Sequence, residues 1–227
     1  MKKKIFIVLP IYNEEKIIEK VVNELIDKTL DFNIKIILIN DGSKDGTKKK
    51  IEKFKDTKNI VVVNKHNEGH GKTISYGYEY AIKNDCDYVF QMDSDDQFYT
   101  EDIKQFLKED FNENLIIGER KKRKDKSIRL IITNLMKLII FIFHGVLVKD
   151  ANSPFRLIKK SFLSKNINRI KNSIIPNVLM SIIAAKDKSL KFIDVQHKER
   201  ETGEVSIKKW KLFSFCLKSL NEIIFFK

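Results

Sequence analysis

At 227 residues with 42% hydrophobic side chains, the chain can build one sizeable core, and three Pro and eight Gly leave no room for a long Pro/Gly linker. No repeat at solenoid periods occurs, and the isolated Cys86 and Cys216 exclude a disulfide framework and predict a reducing compartment. A formal net charge of +13 calls for an anionic partner: nucleic acid, a lipid headgroup surface or a phosphorylated substrate.

Lysines precede the first apolar run, but that run is short, lacks a small-residue cleavage site and meets Tyr12-Asn13-Glu14-Glu15 at once. Ile5 to Leu9 therefore reads as a buried strand, not a signal peptide. Further runs at Ile34 to Ile39, Ile60 to Val63, Tyr88 to Met92 and Leu115 to Ile117 alternate with helix-like stretches. That alternation predicts βαβ units and a parallel sheet, an α/β fold. Glu14 to Lys28 sets Ile17, Ile18, Val21, Val22, Leu25 and Ile26 on one face of a helix with an acidic opening. Asp41-Gly42-Ser43 reads as a strand-to-helix turn, Gly69 to Lys83 as a helix and Thr100 to Lys108 as another.

Ligands of open α/β sheets sit beyond the C-terminal ends of the strands. Residues just after each apolar run are therefore the candidates: Tyr12, Asn13 and Glu14, then Asp41, then Asn64 to Gly71, then Asp93, Asp95 and Gln97.

From Arg120 the texture changes. A basic run, Arg120 to Lys126, leads into Leu130 to Val148, the most hydrophobic segment, which Thr133, Asn134, Lys137, His144 and Gly145 make a poor membrane span. At helical spacing Arg129, Thr133, Lys137 and His144 share one narrow face, which suits a helix in the membrane interface or one packed against the core. A helix around Ile174 to Ala185, a strand Leu190 to Val195, a polar loop through Arg200 and Gly203, and an aromatic segment, Trp210 to Phe226, complete the chain.

Asp93-Ser94-Asp95-Asp96-Gln97 places alternating carboxylates on a tight turn, a donor set for one hard cation, Mg2+ or Mn2+, that neutralises a diphosphate leaving group. An EF-hand starting at Asp93 fails, because Phe98 and Lys104 stand where Gly and Glu are needed. A P-loop ending in Gly71-Lys72-Thr73 fails too, because His66 replaces its first glycine.

Taken in order, Pro10-Ile11-Tyr12-Asn13-Glu14-Glu15, Asn40-Asp41-Gly42-Ser43-Lys44-Asp45-Gly46-Thr47, Asn67-Glu68-Gly69 and Asp93-Ser94-Asp95-Asp96-Gln97 resemble the motifs of family 2 glycosyltransferases. The Asp-x-Asp-x-Gln form is similar to the branch of dolichyl-phosphate mannosyltransferases and bacterial undecaprenyl-phosphate sugar transferases. The resemblance implies a single GT-A (Rossmann-like) domain with a central, mostly parallel sheet flanked by helices. A nucleotide-sugar-binding half, 1–118, precedes an acceptor-binding half, 119–227, with an amphipathic interface helix over about 128–148.

It further implies that Pro10, Tyr12, Glu14 and Asp41 hold base and ribose, that Asp93, Asp95 and Gln97 ligate the metal, and that Ser94 lies against the nucleotide. Gly118-Glu119-Arg120 matches the family's Gly-x-Arg, whose Arg meets donor or acceptor phosphate; Arg129 and Thr133 resemble the pair that holds a lipid phosphate. Asp150-Ala151-Asn152-Ser153-Pro154-Phe155-Arg156 resembles the segment closing the acceptor side. Arg200 with Gly203, Glu204 and Ser206 resembles the loop over the diphosphate, with Lys208 beyond it. The catalytic set so implied is Asp95, Arg120, Arg129, Arg156 and Arg200. Taken singly, Tyr12 also suits a core, Asp41 a helix cap and Arg156 a surface strand.

The mechanism implied is one displacement at the anomeric carbon, with inversion, metal and arginines stabilising the leaving diphosphate. A hydroxyl acceptor needs a carboxylate base within reach; an ionised lipid phosphate needs none. Hydroxyl-specific relatives usually carry that acid in the helix matching Ile174 to Ala185, which here holds no acid. The expectation is a UDP- or GDP-sugar donor, a polyprenyl-phosphate acceptor and peripheral binding at the cytoplasmic face of a membrane, with a membrane-embedded partner protein conceivable. The alternatives are a saccharide acceptor, with Asp150 or Asp194 as base, and a basic nucleic-acid-binding module. The latter leaves the acidic turn without purpose, so no nucleic acid partner is expected.

Overall fold

A computed structural model describes residues 3–108, 112–120, 127–199 and 209–227, and of 127–131 and 209–213 the backbone alone. The first half runs β1 (Lys4–Ile11), α1 (Ile18–Thr29), β2 (Asn33–Asp41), α2 (Thr47–Glu52), β3 (Ile60–Lys65), α3 (His70–Lys83) and β4 (Tyr88–Gln91). A 3-10 turn, Thr100–Asp102, leads into α4 (Ile103–Lys108) and then β5 (Leu115–Arg120). The second half adds α5 (Ser127–His144), β6 (Arg156–Lys159), α6 (Lys160–Ile170), α7 (Pro176–Lys186), β7 (Leu190–Val195) and α8 (Lys209–Phe225).

The strands form one sheet in the order β3-β2-β1-β4-β6-β5-β7. Six of the strands pair parallel in two blocks, β3-β2-β1-β4 and β5-β7, and β6 joins the blocks antiparallel to both β4 and β5. The mostly parallel sheet matches the expectation. Strand β6 and helix α6 were not foreseen: only Leu157 and Ile158 of β6 are apolar, and its first residue is an arginine.

The inner strands read as continuous apolar runs because both faces are covered. Phe6 and Val8 of β1 join Ile74, Tyr78, Phe162, Val178 and Ile182 in one core, under α3, α6 and α7. Ile5, Ile7, Leu9 and Ile11 join Ile18, Val22, Leu25 and Phe106 in the other, under α1 and α4. Gly77 allows α3 to lie this close, since a Cβ there would stand 2.3 Å from Val8 Cγ1 and 2.8 Å from Ile39 Cδ1.

Two boundaries shift for local reasons. Helix α1 starts at Ile18 rather than Glu14, because Asn13 is left-handed (φ 55°) and the Glu14 carbonyl closes a turn onto the Ile17 and Ile18 amides. Strand β5 extends three residues beyond Ile117, to Arg120, because β7 continues the pairing through Arg120 and Val195.

Helix α5 buries Ile140 and packs Met136 and Ile139 on the core, and turns a second apolar set outward. Leu135, Leu138, Phe141, Ile142 and Phe143 are exposed, while Thr133, Lys137 and His144 are half-buried and His144 Nε2 sits 2.6 Å from the Ile223 carbonyl of α8. Leu147, Leu217 and Phe225 extend the exposed apolar set. Among the described residues, no helix is long and apolar enough to cross a membrane.

Candidate active site

The crevice is built by loops that leave the C-terminal ends of β1, β2, β3 and β4. After β1, left-handed Asn13 turns the chain so that its Oδ1 accepts from the Lys44 amide at 2.8 Å, and its own amide donates to Ser43 Oγ at 3.0 Å. The amide of buried Glu14 donates to Thr47 Oγ1 at 2.9 Å, and the Glu15 carboxylate accepts from the Gly46 amide at 3.0 Å. The first two motifs are thus stitched into one wall, with Pro10 buried and Tyr12 half-exposed on its rim.

Asp41, expected at the base and ribose, spends its carboxylate on the protein in this structure. Oδ1 accepts from Lys65 Nζ at 2.6 Å and the Glu68 amide at 3.0 Å, and Oδ2 from the Gly69 amide at 3.0 Å. Burial alone would raise the Asp41 carboxyl, but Lys65, the Glu68 amide and the Thr73 hydroxyl outweigh it and hold the pKa below the ordinary value. Lys65 shows the converse: burial opposes its charge, and Asp41 and Glu68 more than restore it. Asp41 therefore shapes the Asn67-Glu68-Gly69 loop, whose Asn67 side chain also donates to the Asp41 carbonyl at 2.8 Å.

After β4, Ser94 Oγ donates to the Pro10 carbonyl at 2.9 Å, tying the acidic turn to the first motif. Asp95 Oδ1 accepts from the Gln97 amide at 3.3 Å, which keeps the turn tight. Left-handed Asp96 is drawn away from its neighbours: Lys20 reaches it at 2.7 Å and Lys198 at 2.9 Å. Asp93 has softer company, Gln91 Nε2 at 3.4 Å and His70 Nε2 at 3.5 Å.

Asp93, Asp95 and the Gln97 amide oxygen are hard oxygen donors on one turn, the chemistry Mg2+ or Mn2+ prefers. Among the described residues, no three His, Cys, Asp or Glu side chains gather to cage a metal. Two carboxylates on one turn are the number Mg2+ usually takes from protein, the rest of its shell coming from substrate phosphates and water.

At the end of β5, Arg120 and Asp150 form a forked pair, Nε to Oδ2 at 2.8 Å and Nη2 to Oδ1 at 2.7 Å. Arg156 departs from its expected place among the arginines facing phosphate. It is fully buried, donating from Nε to the Ser153 carbonyl (2.9 Å), from Nη1 to the Asn177 carbonyl (2.8 Å) and Ser181 Oγ (3.3 Å), and from Nη2 to the Ala151 carbonyl (3.0 Å). Burial depresses its pKa to about 10, which leaves it charged at neutral pH. Burial likewise pushes the Tyr78 phenol up, so that it keeps its proton.

Thr133 lies on α5, and Arg129 occupies the first turn of that helix with its side chain outside the described residues. Arg200, Gly203, Glu204, Ser206 and Lys208 also lie outside the described residues. Tyr78, Gln91, Asn177 and Lys198 escaped the sequence reading, whereas Lys65 and His70 fall within the Asn64 to Gly71 stretch it singled out; Gln91 carries a positional signal as the last residue of a strand that ends at the crevice.

A model of the Glycosyl transferase family 2 domain matches residues 6–170, which takes in all four donor-side motifs and the Arg120–Asp150 pair. The chain belongs to glycosyl transferase family 2. The transferase is 28% identical over 246 residues to a UDP-N-acetylglucosamine–dolichyl-phosphate N-acetylglucosaminyltransferase of Methanococcus voltae, covering 99% of this chain and 93% of that one. It is 28% identical over 189 residues to a dolichyl-phosphate beta-glucosyltransferase of Trichomonas vaginalis, covering 71% of this chain and 57% of the relative. In fold it is similar to glucosyl-3-phosphoglycerate synthase of Mycobacterium tuberculosis in complex with Mn2+ and UDP-glucose, with a TM-score of 0.70 at 16% identity over 98% of this chain and 79% of that chain.

Proposed function

We propose that this transferase moves a sugar from a UDP-linked donor to a polyprenyl phosphate at the cytoplasmic face of a membrane. The observation that carries the reading lies on the acceptor side. Helix α7 offers Asn177 and Ser181 and no carboxylate, and the neighbouring acid, Asp150, is locked in a forked pair with Arg120. A carboxylate so paired is a poor proton acceptor, which disfavours a hydroxyl nucleophile; a phosphate monoester arrives ionised and needs no base. The names of the two relatives, both acting on dolichyl phosphate, support the same acceptor, and the UDP in one relative's name and in the structural neighbour supports a uridine donor.

In this reading Pro10, Tyr12 and Glu14 border the nucleotide, while Asp93, Asp95 and Gln97 hold Mg2+ or Mn2+ against its diphosphate. The bound cation supplies charge neutralisation for the leaving group. Arg120, its guanidinium plane fixed by Asp150, orients the acceptor phosphate; phosphate roles for Arg129, Thr133 and Arg200 rest on the family resemblance alone. The acceptor oxygen attacks the anomeric carbon from the face opposite the diphosphate, so the configuration inverts.

The outward apolar side of α5, continued by Leu147, Leu217 and Phe225 on a chain of net charge +13, fits an anionic lipid surface. A membrane-embedded partner protein covering the same patch is the alternative occupant. The test is transfer of label from UDP-sugars to polyprenyl phosphate in detergent, with Mn2+ and with chelator. Metal-dependent labelled lipid supports the reading, and donor hydrolysis with label passing only to added saccharide overturns it.

A further inference from the structure

Beneath the crevice a run of buried polar side chains leads from Asn177 to Asp93, and Arg156 anchors the Asn177 backbone beside it. Tyr78 of α3, Gln91 of β4 and Arg156 of β6 are fully buried, and Asn177 of α7 nearly so. Tyr78 Oη lies 3.2 Å from Gln91 Oε1 and 3.1 Å from Asn177 Oδ1, Gln91 Nε2 lies 3.4 Å from Asp93 Oδ1, and Arg156 Nη1 donates to the Asn177 carbonyl at 2.8 Å.

Proton counting gives this chain a direction. A phenol has one proton and cannot donate to two acceptors. Gln91 is fixed by its Nε2, which must face the acceptor-only Asp93 carboxylate, so its Oε1 receives the Tyr78 proton. The Asn177 amide, whose oxygen and nitrogen are interchangeable in shape, then turns its Nδ2 to donate to Tyr78 Oη. Every proton now points toward Asp93: Asn177 to Tyr78, Tyr78 to Gln91, Gln91 to Asp93. The Asn177 amide stands at the head and the Asp93 carboxylate at the foot, so the bonds polarise one another in the same sense, while Arg156 holds the Asn177 backbone through its carbonyl.

Other carboxylates around the crevice are held differently. Asp96 has Lys20 and Lys198, Asp41 has Lys65 and Asp150 has Arg120. Among the described residues, no lysine or arginine forms an ion pair with Asp93. A carboxylate that must receive a divalent cation gains from this arrangement, since a directly paired ammonium would have to be displaced first.

We propose that Asn177, Tyr78 and Gln91 are positioning residues for Asp93, orienting its carboxylate toward a divalent cation through a run of neutral side-chain hydrogen bonds. The inference rests on the reading of Asp93 as a metal ligand, and the test separates the two. Mn2+ binding in the presence of UDP is measured by loss of the free-ion paramagnetic resonance signal, for the full chain and for Asp93→Asn, Tyr78→Phe and Asn177→Ala. UDP affinity without metal and the thermal midpoint are recorded alongside.

The expected result is loss of Mn2+ binding in Asp93→Asn, and Mn2+ binding weakened about tenfold in Tyr78→Phe, the lower end of outer-shell effects, with metal-free UDP affinity unchanged. Asn177→Ala, at the far end of the chain, shifts it in the same direction by a smaller factor and carries the test if Tyr78→Phe does not fold. Loss in Asp93→Asn with wild-type Mn2+ affinity in folded Tyr78→Phe or Asn177→Ala overturns the relay alone. Wild-type Mn2+ affinity in Asp93→Asn overturns the metal reading beneath it.

Discussion

Arg120 ends β5 and Asp150 lies thirty positions on, yet the two meet as a forked ion pair with both contacts under 3 Å and both side chains largely buried. The pair fixes the guanidinium plane at the end of β5 and, in the function proposed, leaves Asp150 a poor general base. Such a fork is specific to arginine, since a lysine offers a single point charge.

Breaking that pair from the acid side leaves a buried, uncompensated guanidinium. Asp150→Ala is expected to lose about 3 kcal/mol of stability, read as a lowered denaturation midpoint. Arg120→Lys keeps the charge and loses the fork. It is expected to fold and to raise the KM for lipid phosphate with the donor KM unchanged, as measured by steady-state kinetics in detergent.

Asp95 and Asp96 are neighbours with opposite expectations. Asp96 is held by Lys20 and Lys198, and its left-handed backbone is one that asparagine tolerates. Asp96→Asn is therefore expected to retain Mn2+-dependent turnover within about tenfold, as for loss of an outer-shell partner. Asp95→Ala is expected to lose on the order of 100-fold or more, an electrostatic contribution of about 3 kcal/mol to the transition state. Initial rates across a Mn2+ titration check both.

Asp41 gives the donor wall a defined acid limit. Its folded pKa lies below the unfolded value of about 3.9, so its stabilisation is fully present above that value and is lost as pH falls through the lower, folded pKa. The stability difference between the chain and Asp41→Asn, followed by urea denaturation, is expected to be constant from pH 7 to about 5 and to shrink below about pH 4.

Vesicle binding tests the outward side of α5. Ile142 is 62% exposed and Phe141 51%, so replacing them costs the core little. The double variant Phe141→Asp, Ile142→Asp is expected to weaken sedimentation with anionic vesicles at least about tenfold, since each apolar side chain contributes about 1 kcal/mol or more to lipid burial. UDP-sugar binding is expected to stay unchanged.

The donor half was legible because two signals coincide there. Runs such as Ile34 to Ile39 are buried on both faces of the sheet, and each is followed at once by the residue that shapes the crevice, as Asp41 follows Asn40. The acceptor half was not. Arg156 looks like a surface residue until the carbonyls of Ala151, Ser153 and Asn177 converge on it, and that convergence exists only after α7 packs beside β6. Lys65 lay within a stretch marked by position alone, and with 44 Lys and Arg in the chain its role was unreadable until Asp41 is seen beneath it. Of the polar stripe read on α5, Thr133, Lys137 and His144 are half-buried, and the direction of His144 depends on the Ile223 carbonyl of α8, far along the chain.

The central claim is that the acceptor is a phosphate and not a hydroxyl, and the bond formed decides it. The labelled lipid product made from a UDP-sugar and polyprenyl phosphate is heated in mild acid and in mild base. The account predicts release of free labelled sugar in mild acid, as for a sugar joined through phosphate; label that stays bound to its acceptor under mild acid, as in an ordinary glycosidic linkage, would contradict it.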